Sequence, residues 1–289
     1  MATQQMFYDS VVPISATRHR ESCVAVGSEY AFSKKVNSVP LTAVEFPHAA
    51  AEYVIVFAGT EEAVMPAVIL GLRGNENLYL AGESTWKAKY IPAFVRRYPF
   101  VFSSNDEGKT FTLCIDESFA GLNKEGRGER MFDAEGKRTL FVENVLAFLQ
   151  EYQIQFQRTR ALCRKLKELE LLDPMRADIT LGSGEQVSLT GFMTVSRERL
   201  KALSAEVLAE MAKSDELELV YLHLHSTRNF AGLKDRVGTP AGADRTAAGP
   251  EEAAQGIAKD AEKSAKEAVE KADSASEGGR AGAKKSKSR

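Results

Sequence analysis

A long amphipathic pattern between residues 140 and 172 most constrains the fold of this chain. Apolar residues recur there at three- and four-residue spacing, with Glu, Gln and Arg between them: Val142, Val145, Leu149, Tyr152, Phe156, Cys163 and Leu166. The pattern predicts a helix about 50 Å long that must bury one face against other elements. We interpret its Tyr/Phe stripe as core, and we expect Asp173-Pro174 to end the helix.

The residues before this helix predict an antiparallel sheet. Apolar and β-branched runs recur between brief Gly-, Asn- or Asp-containing turns, at 6–15, 22–27, 53–59, 65–73, 77–82, 99–104 and 110–116. Gly-Asn-Glu joins 65–73 to 77–82, and the last two runs form a predicted hairpin. Such spacing favours a meander-like antiparallel sheet over βαβ units.

Local signals add shorter elements. Thr42 and Glu45 have the spacing of a capping box, and Pro92 and Pro99 bracket a short helix at 93–98. After the long helix, 177–181 and 187–196 form a second predicted hairpin across Gly-Ser-Gly-Glu-Gln. Three further helices are predicted to begin at N-cap serines, namely Ser196, Ser204 and Ser214.

The composition changes abruptly at Gly238, beyond which there is neither an aromatic residue nor a leucine. Because such a segment buries too little apolar area to offset its ordering entropy, residues 238–289 are predicted to be a disordered tail. The predicted fold is α+β, with one globular domain at 1–237. In it, an antiparallel meander-like sheet packs against the long helix and the C-terminal helices.

Charge and cysteine content restrict the class of protein. The formal net charge is -2 and 44% of residues are hydrophobic, which argues for a globular core and against a general nucleic-acid binder. Three cysteines show no paired spacing, and we expect Cys114 and Cys163 to be buried thiols in a reducing compartment. With no secretory signal pattern and no apolar run near 18 residues, we expect a soluble, cytoplasmic protein.

Catalytic and metal-binding signatures are missing from the sequence. It contains no GxSxG, Walker or Rossmann motif, and no serine or cysteine stands in a recognisable nucleophile context. His223 and His225 lie in a helical pattern, where two residues apart means roughly 200° around the axis. We therefore expect no metal, no cofactor and no catalytic residue, although the sequence does not decide whether the chain is an enzyme.

The loop at 119–133 is the candidate binding site. It contains Gly121, Gly126 and Gly128 among polar residues, and glycines permit positive φ and close backbone approach to an anion. The candidate ligand-binding residues are Asn123, Arg127, Glu129 and Arg130 of the loop, with His48, Arg96 and Arg97 as possible neighbours. The alternative is a solvated loop whose arginines pair with Glu129, Asp133 or Asp116.

Several separate blocks, in order, carry a family resemblance: FYDSVVPIS, VNSVPLTAVEFPHAAAEYVIVFAG, AVMPAVILGLR, YIPAFVRRYPFVF, TLCIDESFAGLNKEGRGERMFDAEG, FLQEYQIQFQRT and LTGFMTVSRERLKAL. From Met6 to about Val237 the chain resembles the SapC family, and the tail lies outside the resemblance. The family is named after surface-layer loci, and its members often lie near outer-membrane uptake and halogenase-like genes in proteobacteria. It has no established active site, so the resemblance implies no functional residues.

Two functions remain open. The chain is either a non-catalytic binding or assembly protein linked to the cell envelope, or an enzyme or enzyme accessory that binds a small acidic molecule or peptide at 119–133. A flat apolar patch would favour the first and a ligand-sized concave pocket the second. The sequence does not indicate the oligomeric state.

Overall fold

The computed structural model describes residues 6–27, 29–60, 63–82, 84–104 and 110–237. The segment 238–289 lies outside the described residues, so its disorder and the boundary at Val237 remain predictions.

The described residues combine short and long elements of both kinds. The strands are β1 (Val11–Pro13), β2 (Cys23–Val24), β3 (Ser38–Pro40), β4 (Val54–Thr60), β5 (Ala63–Ile69), β6 (Leu80–Ala81), β7 (Thr85–Trp86), β8 (Phe100–Ser104), β9 (Phe111–Asp116), β10 (Leu122–Asn123), β11 (Glu129–Arg130), β12 (Leu172–Thr180) and β13 (Gln186–Val195). The α-helices are α1 (Ala16–His19), α2 (Phe46–Ala49), α3 (Ala93–Arg96), α4 (Leu140–Glu168), α5 (Arg197–Ala202), α6 (Ala205–Lys213), α7 (Glu216–Ser226) and α8 (Phe230–Arg236).

These elements form two compact units. Among the described residues, the first unit comprises 6–26 and 98–149, and the second comprises 27–97 and 150–237 with the gaps given above. The first residues of α4, up to Leu149, belong to the first unit, and the rest of the helix belongs to the second.

The first unit is built on two small antiparallel sheets, with strand orders β1-β9-β8 and β10-β2-β11. The predicted hairpin is confirmed, since β8 pairs with β9 from Phe100 opposite Ile115 to Ser104 opposite Phe111. Its apolar core joins both sheets to the start of α4 through Val24, Phe100, Leu113, Ile115, Met131, Phe132, Val142 and Leu149.

The second unit contains a five-stranded antiparallel sheet in the order β12-β13-β4-β5-β3. Residues Val54 to Ala58 of β4 are all buried, as expected for the central strand of a covered sheet. Helix α7 packs against β4 and β13. The predicted α+β fold, with antiparallel sheets, one long helix and C-terminal helices, is confirmed.

Three local predictions need correction. The long helix ends at Glu168, because Glu170 adopts a left-handed φ of 54° and the Leu171 N–H bonds the Leu166 carbonyl, which is a Schellman ending. Asp173-Pro174 therefore lies in β12, where an edge strand tolerates proline. Asp215, not Ser214, is the N-cap of α7.

The run at 77–82 forms only the two-residue strand β6, which pairs with β7. The predicted neighbour β5 has no free edge for it, because β4 and β3 occupy its two sides. The capping box at Thr42 and Glu45 and the hairpin of β12 with β13 are confirmed.

Candidate functional site

The candidate loop contributes two of the three strands of the sheet β10-β2-β11 in the first unit. Strands β10 and β11 flank β2, so that Leu122 and Glu129 both lie opposite Val24, while Asn123 and Arg130 both lie opposite Cys23. The segment between the two strands is thereby held at both ends by backbone pairing with one buried strand.

Asn123 fixes the conformation of this segment from within. The two hydrogens of its amide nitrogen are shared among the carbonyl oxygens of Cys23, Gly121 and Arg127, at 3.3, 3.0 and 2.9 Å. Its amide oxygen accepts from the N–H groups of Glu125 and Arg127, both at 3.1 Å. Backbone N–H groups of a glycine-rich loop can bind an anion, and in this loop the N–H groups of Glu125 and Arg127 are already taken up by Asn123.

Gly128 is required by close packing. Its φ is +83°, and a Cβ at this position would lie 2.3 Å from the Val24 carbonyl oxygen. Gly126 has a similar φ of +77° but nothing within 4 Å of the corresponding position. A substitution at Gly126 therefore tests backbone strain alone, whereas a substitution at Gly128 tests strain together with a steric clash.

We expect Gly128→Ala to destabilise the first unit by about 2–4 kcal/mol, because it adds an overpacked contact to the cost of a left-handed residue. Gly126→Ala is the matched control and should cost only about 1–2 kcal/mol. Urea titration followed by circular dichroism measures both variants. Equal losses for the two would show that the Val24 contact relaxes without cost.

The loop arginines are exposed. The Arg127 Nε atom lies 2.9 Å from Glu125 Oε2, with 65% and 72% of the two side chains exposed, an arrangement that contributes roughly 0–1 kcal/mol. Glu129 and Arg130 are exposed in β11. Within the described part of the chain, no ion pair joins Arg127 or Arg130 to the expected partners Glu129, Asp133 or Asp116.

The acidic side chains expected to pair with those arginines serve the backbone instead. The Asp133 carboxylate accepts the N–H of Lys137 at 2.8 Å. Asp116 is fully buried and accepts the N–H groups of Asp9, Ser10 and Ser118 at 2.9, 2.9 and 3.0 Å. The Ser118 hydroxyl, at 2.7 Å, and the Tyr98 hydroxyl, at 3.4 Å, complete the shell of donors.

Two of the remaining candidates meet in the second unit. The rings of His48 and Tyr90 stack with centroids 5.3 Å apart, and the Arg96 guanidinium lies 5.7 Å from the Tyr90 centroid. The Tyr90 hydroxyl donates to Glu45 Oε1 at 2.8 Å, and burial, followed by the Glu45 charge, raises the pKa of Tyr90. Tyr90 therefore stays protonated and holds His48 and Arg96 at the surface.

Arg97 has a different environment from Arg96. Its guanidinium carbon lies 3.9 Å from the Phe94 ring centroid and 5.3 Å from that of Tyr152. Cation–π contacts of this kind stabilise packing. Of the seven candidate residues, four share the loop of the first unit, His48 and Arg96 share the Tyr90 cluster, and Arg97 packs on other aromatic rings.

The family comparison agrees with the resemblance in the sequence. The SapC family model matches residues 14–233. This chain belongs to the SapC family. The match includes both the loop at 119–133 and the Tyr90 cluster of this SapC protein. No curated protein and no solved structure matches the chain.

The SapC fold also contains buried ionisable groups that the sequence did not reveal as such. His223 is fully buried, and its Nε2 accepts the Val195 N–H at 3.0 Å. Because Nε2 is an acceptor, the proton resides on Nδ1, which donates to the Ile55 carbonyl at 3.0 Å. Ser226 completes the bridge by accepting the Ile55 N–H at 3.0 Å.

This bridge replaces backbone pairing between two strands. Strands β13 and β4 share one registered pair, Met193 opposite Phe57. The same register would place Val195 opposite Ile55, and there the His223 imidazole stands between the two backbones. Burial lowers the pKa of His223 to about 4. No sequence motif marks this role, because it depends on a helix that packs onto a sheet distant in sequence.

Both ring nitrogens of His19, in the first unit, also have partners within the protein. Its Nδ1 accepts the Ser15 N–H at 3.2 Å, and its Nε2 lies 3.2 Å from Glu117 Oε1. Burial lowers the pKa of His19. A hydrogen bond from Arg18 lowers the pKa of Glu117.

The geometry of the described residues also bears on metal sites and membrane spans, and burial bears on their cysteines. The described residues contain no group of three or more His, Cys, Asp or Glu side chains placed to hold a metal ion. They also contain no helix with the length and apolar character needed to span a membrane. The three cysteines are buried, and burial raises the pKa of the Cys114 thiol to about 11 and of the Cys163 thiol to about 12.

Proposed function

We propose that this SapC protein is a non-catalytic binding or assembly protein of the cytoplasm that serves the cell envelope, in surface-layer assembly or outer-membrane uptake. The chain belongs to the SapC family, and the naming of that family after surface-layer loci supports the proposed link to the envelope. The non-catalytic part of the proposal rests on the buried ionisable side chains, which are hydrogen-bonded to other groups of the protein.

Each buried carboxylate and histidine of the described residues has its polar atoms engaged by the protein. Glu45 accepts the N–H groups of Thr42 and Ala93 at 2.8 and 2.7 Å, and Asp116, His19 and His223 are bonded as described above. A general acid or base must reach the proton that it transfers. Side chains that cap backbone groups inside the protein serve the fold, which supports a binding role.

The proposed contact surface is the loop at 119–133. Its backbone is fixed by Asn123 and by pairing with β2, while Arg127, Glu129 and Arg130 project from it with exposed side chains. An exposed, preorganised loop binds with little loss of conformational entropy, and arginine's planar fork suits carboxylate recognition.

A second candidate function is the binding of a small acidic molecule or peptide at the same loop. The exposed Arg127 favours it, because its present partner Glu125 is also exposed and a ligand carboxylate would displace that pair at little cost. The two candidates differ in the size of the bound species.

We expect Arg127→Ala and Arg130→Ala to fold with a melting temperature close to that of the wild type, because exposed ion pairs contribute only roughly 0–1 kcal/mol. Differential scanning calorimetry measures this. Unfolding of either variant would make the arginines structural and would remove the proposed contact surface.

Binding is tested with the full chain and two double variants. Arg127→Ala/Arg130→Ala removes the loop arginines, and Arg158→Ala/Arg160→Ala removes two exposed arginines of α4 as a matched control. Quantitative capture from the detergent-solubilised envelope fraction should recover the same protein on wild type and control but not on the loop variant. Equal recovery on all three would contradict the assembly proposal at this loop.

A thermal-shift series with citrate, phosphate and acidic dipeptides tests the second candidate, because a ligand that binds only the folded state raises the melting temperature. A shift that is present in the wild type and absent from the loop variant would establish small-ligand binding. Conversion of such a ligand by the wild-type protein would overturn the non-catalytic proposal.

A further inference from the structure

Strand β12 forms an open edge of the five-stranded sheet. Its inner side pairs with β13 along its whole length, and within the described residues no further strand pairs with its outer side. Pro174, Met175 and Arg176 are exposed, and so are Asp178 and Thr180. Such an edge presents a row of backbone donors and acceptors to a second strand.

One side of this edge is apolar. Paired residues in an antiparallel sheet point to the same side, and the β13 partners of Met175, Ala177 and Ile179 are buried: Phe192, Leu189 and Val187. Met175 nevertheless remains 48% exposed. The apolar side of the sheet therefore continues past its last strand into solvent.

The opposite side of the edge carries an ordered pair of charges. Arg176 Nε lies 2.8 Å from Asp178 Oδ1, and both side chains are 63% exposed. Arg176 also donates to the Ser188 hydroxyl at 2.9 Å. The sequence Met175-Arg176-Ala177-Asp178-Ile179 thus places one cation and one anion symmetrically about Ala177.

We propose that β12 pairs with β12 of a second copy of this chain, in an antiparallel register centred on Ala177. In that register Arg176 faces Asp178 of the other copy at two symmetric places, and Met175 faces Ile179. Charged side chains on an edge ordinarily oppose pairing with foreign sheets, whereas here their order is complementary to itself. The inference concerns self-association and is independent of the proposed function.

The local geometry suits this pairing. Between Met175 and Ala177 the single residue Arg176 lies opposite two residues of β13, so the extra residue of the bulge belongs to the inner strand. The outer strand keeps its regular alternation. Pro174 lacks an N–H and limits the paired segment to the five residues that follow it. The self-complementary sequence occupies this segment.

Charge exchange tests the register. Arg176→Asp and Asp178→Arg should each weaken the dimer about tenfold or more, because each places like charges opposite one another twice. The double variant Arg176→Asp/Asp178→Arg should restore the dimer. Sedimentation equilibrium on the full chain measures association, and melting temperatures confirm that each variant is folded.

Cysteine crosslinking tests the centre of the register. Cα atoms of directly paired residues lie about 4.5–5.5 Å apart, which a disulfide bridges, so Ala177→Cys should crosslink rapidly under mild oxidation. Thr180→Cys is the matched control, because two copies of residue 180 would lie about 20 Å apart at 3.3 Å per residue. Equal crosslinking of both, failure of the double variant to restore the dimer, or a wild-type chain that stays monomeric would overturn the proposal.

Discussion

Replacing His223 with alanine should destabilise the second unit by about 4–6 kcal/mol. The substitution leaves the Val195 N–H and the Ile55 carbonyl buried without partners, and each such group costs roughly 1–3 kcal/mol. The cavity left by the imidazole adds to this loss. Urea unfolding followed by circular dichroism at pH 7.5 measures the change. A loss below about 1 kcal/mol would mean that β13 and β4 close directly onto each other.

His225 provides the matched control for this variant. It lies on the same helix, two residues further along, and is exposed. His225→Ala should therefore change the stability by no more than about 0.5 kcal/mol. Both variants remove a histidine from the same helix, so a difference between their stabilities reports the buried position of the His223 imidazole.

The pH dependence of stability provides a second measure of His223. The folded-state pKa of about 4 lies below the ordinary value of 6.5. As the pH falls below 6.5 the unfolded chain takes up a proton that the folded chain excludes until about pH 4, so stability decreases across this window. The total contribution is on the order of 3 kcal/mol. In His223→Gln, which keeps a donor and an acceptor but does not titrate, the total loss of stability between pH 6.5 and pH 4 should be smaller by that amount.

Replacing Asp116 with alanine should destabilise the first unit by about 3–5 kcal/mol. The carboxylate accepts the N–H groups of Asp9, Ser10 and Ser118, and hydrogen bonds to a charged group contribute about 1.5–3 kcal/mol each, less than additively. Asp9 and Ser10 should detach, which limited proteolysis would detect as faster cleavage near residue 10. Unchanged cleavage and stability would show that this segment is held by its apolar contacts.

Asp116→Asn keeps the size and shape of the side chain but removes one of its two acceptor atoms, so it shows whether both acceptors are needed. Both carboxylate oxygens accept hydrogen bonds, one from Ser10 and Ser118 and the other from Asp9. An amide replaces one acceptor with a donor, so the isosteric variant should lose about 2–4 kcal/mol. Asp133→Ala removes a half-buried carboxylate with a single backbone bond and should cost about 1 kcal/mol or less.

The sequence predicted the elements that depend on local signals. The three- and four-residue spacing from Val142 to Leu166 predicted α4, and turn chemistry predicted both long hairpins. Thr42 and Glu45 predicted their capping box. Each of these is set by residues close in sequence, so that periodicity and turn type suffice.

The wrong predictions concern elements whose ends or pairing are set by contacts between residues distant in sequence. Pro174 has the local signature of a helix end, yet it lies in an edge strand whose apolar neighbours fix its place in the sheet. The run at 77–82 has strand composition, but its pairing depends on which edges β5 has available. Ser214 and Asp215 are both capping residues, and only the backbone geometry separates them.

The candidate loop was predicted in outline only. Its glycines and arginines were visible in the sequence, and its two short strands explain why glycine stands at position 128. The role of Asn123 was not predictable, because an amide that binds five backbone groups has the same sequence signature as one that faces a ligand. Whether the loop binds a partner stays a prediction.

The side-chain bridge between β13 and β4 has a consequence for synthesis on the ribosome. Strand β4 is made long before β13 and α7, since these lie near the end of the described chain. Until α7 emerges, the Ile55 backbone lacks the His223 and Ser226 groups that satisfy it. The apolar residues of β4 are open to aggregation during that interval. Translation of α7 therefore sets the earliest moment at which this sheet is complete, and nascent chains stalled before it are expected to be chaperone clients.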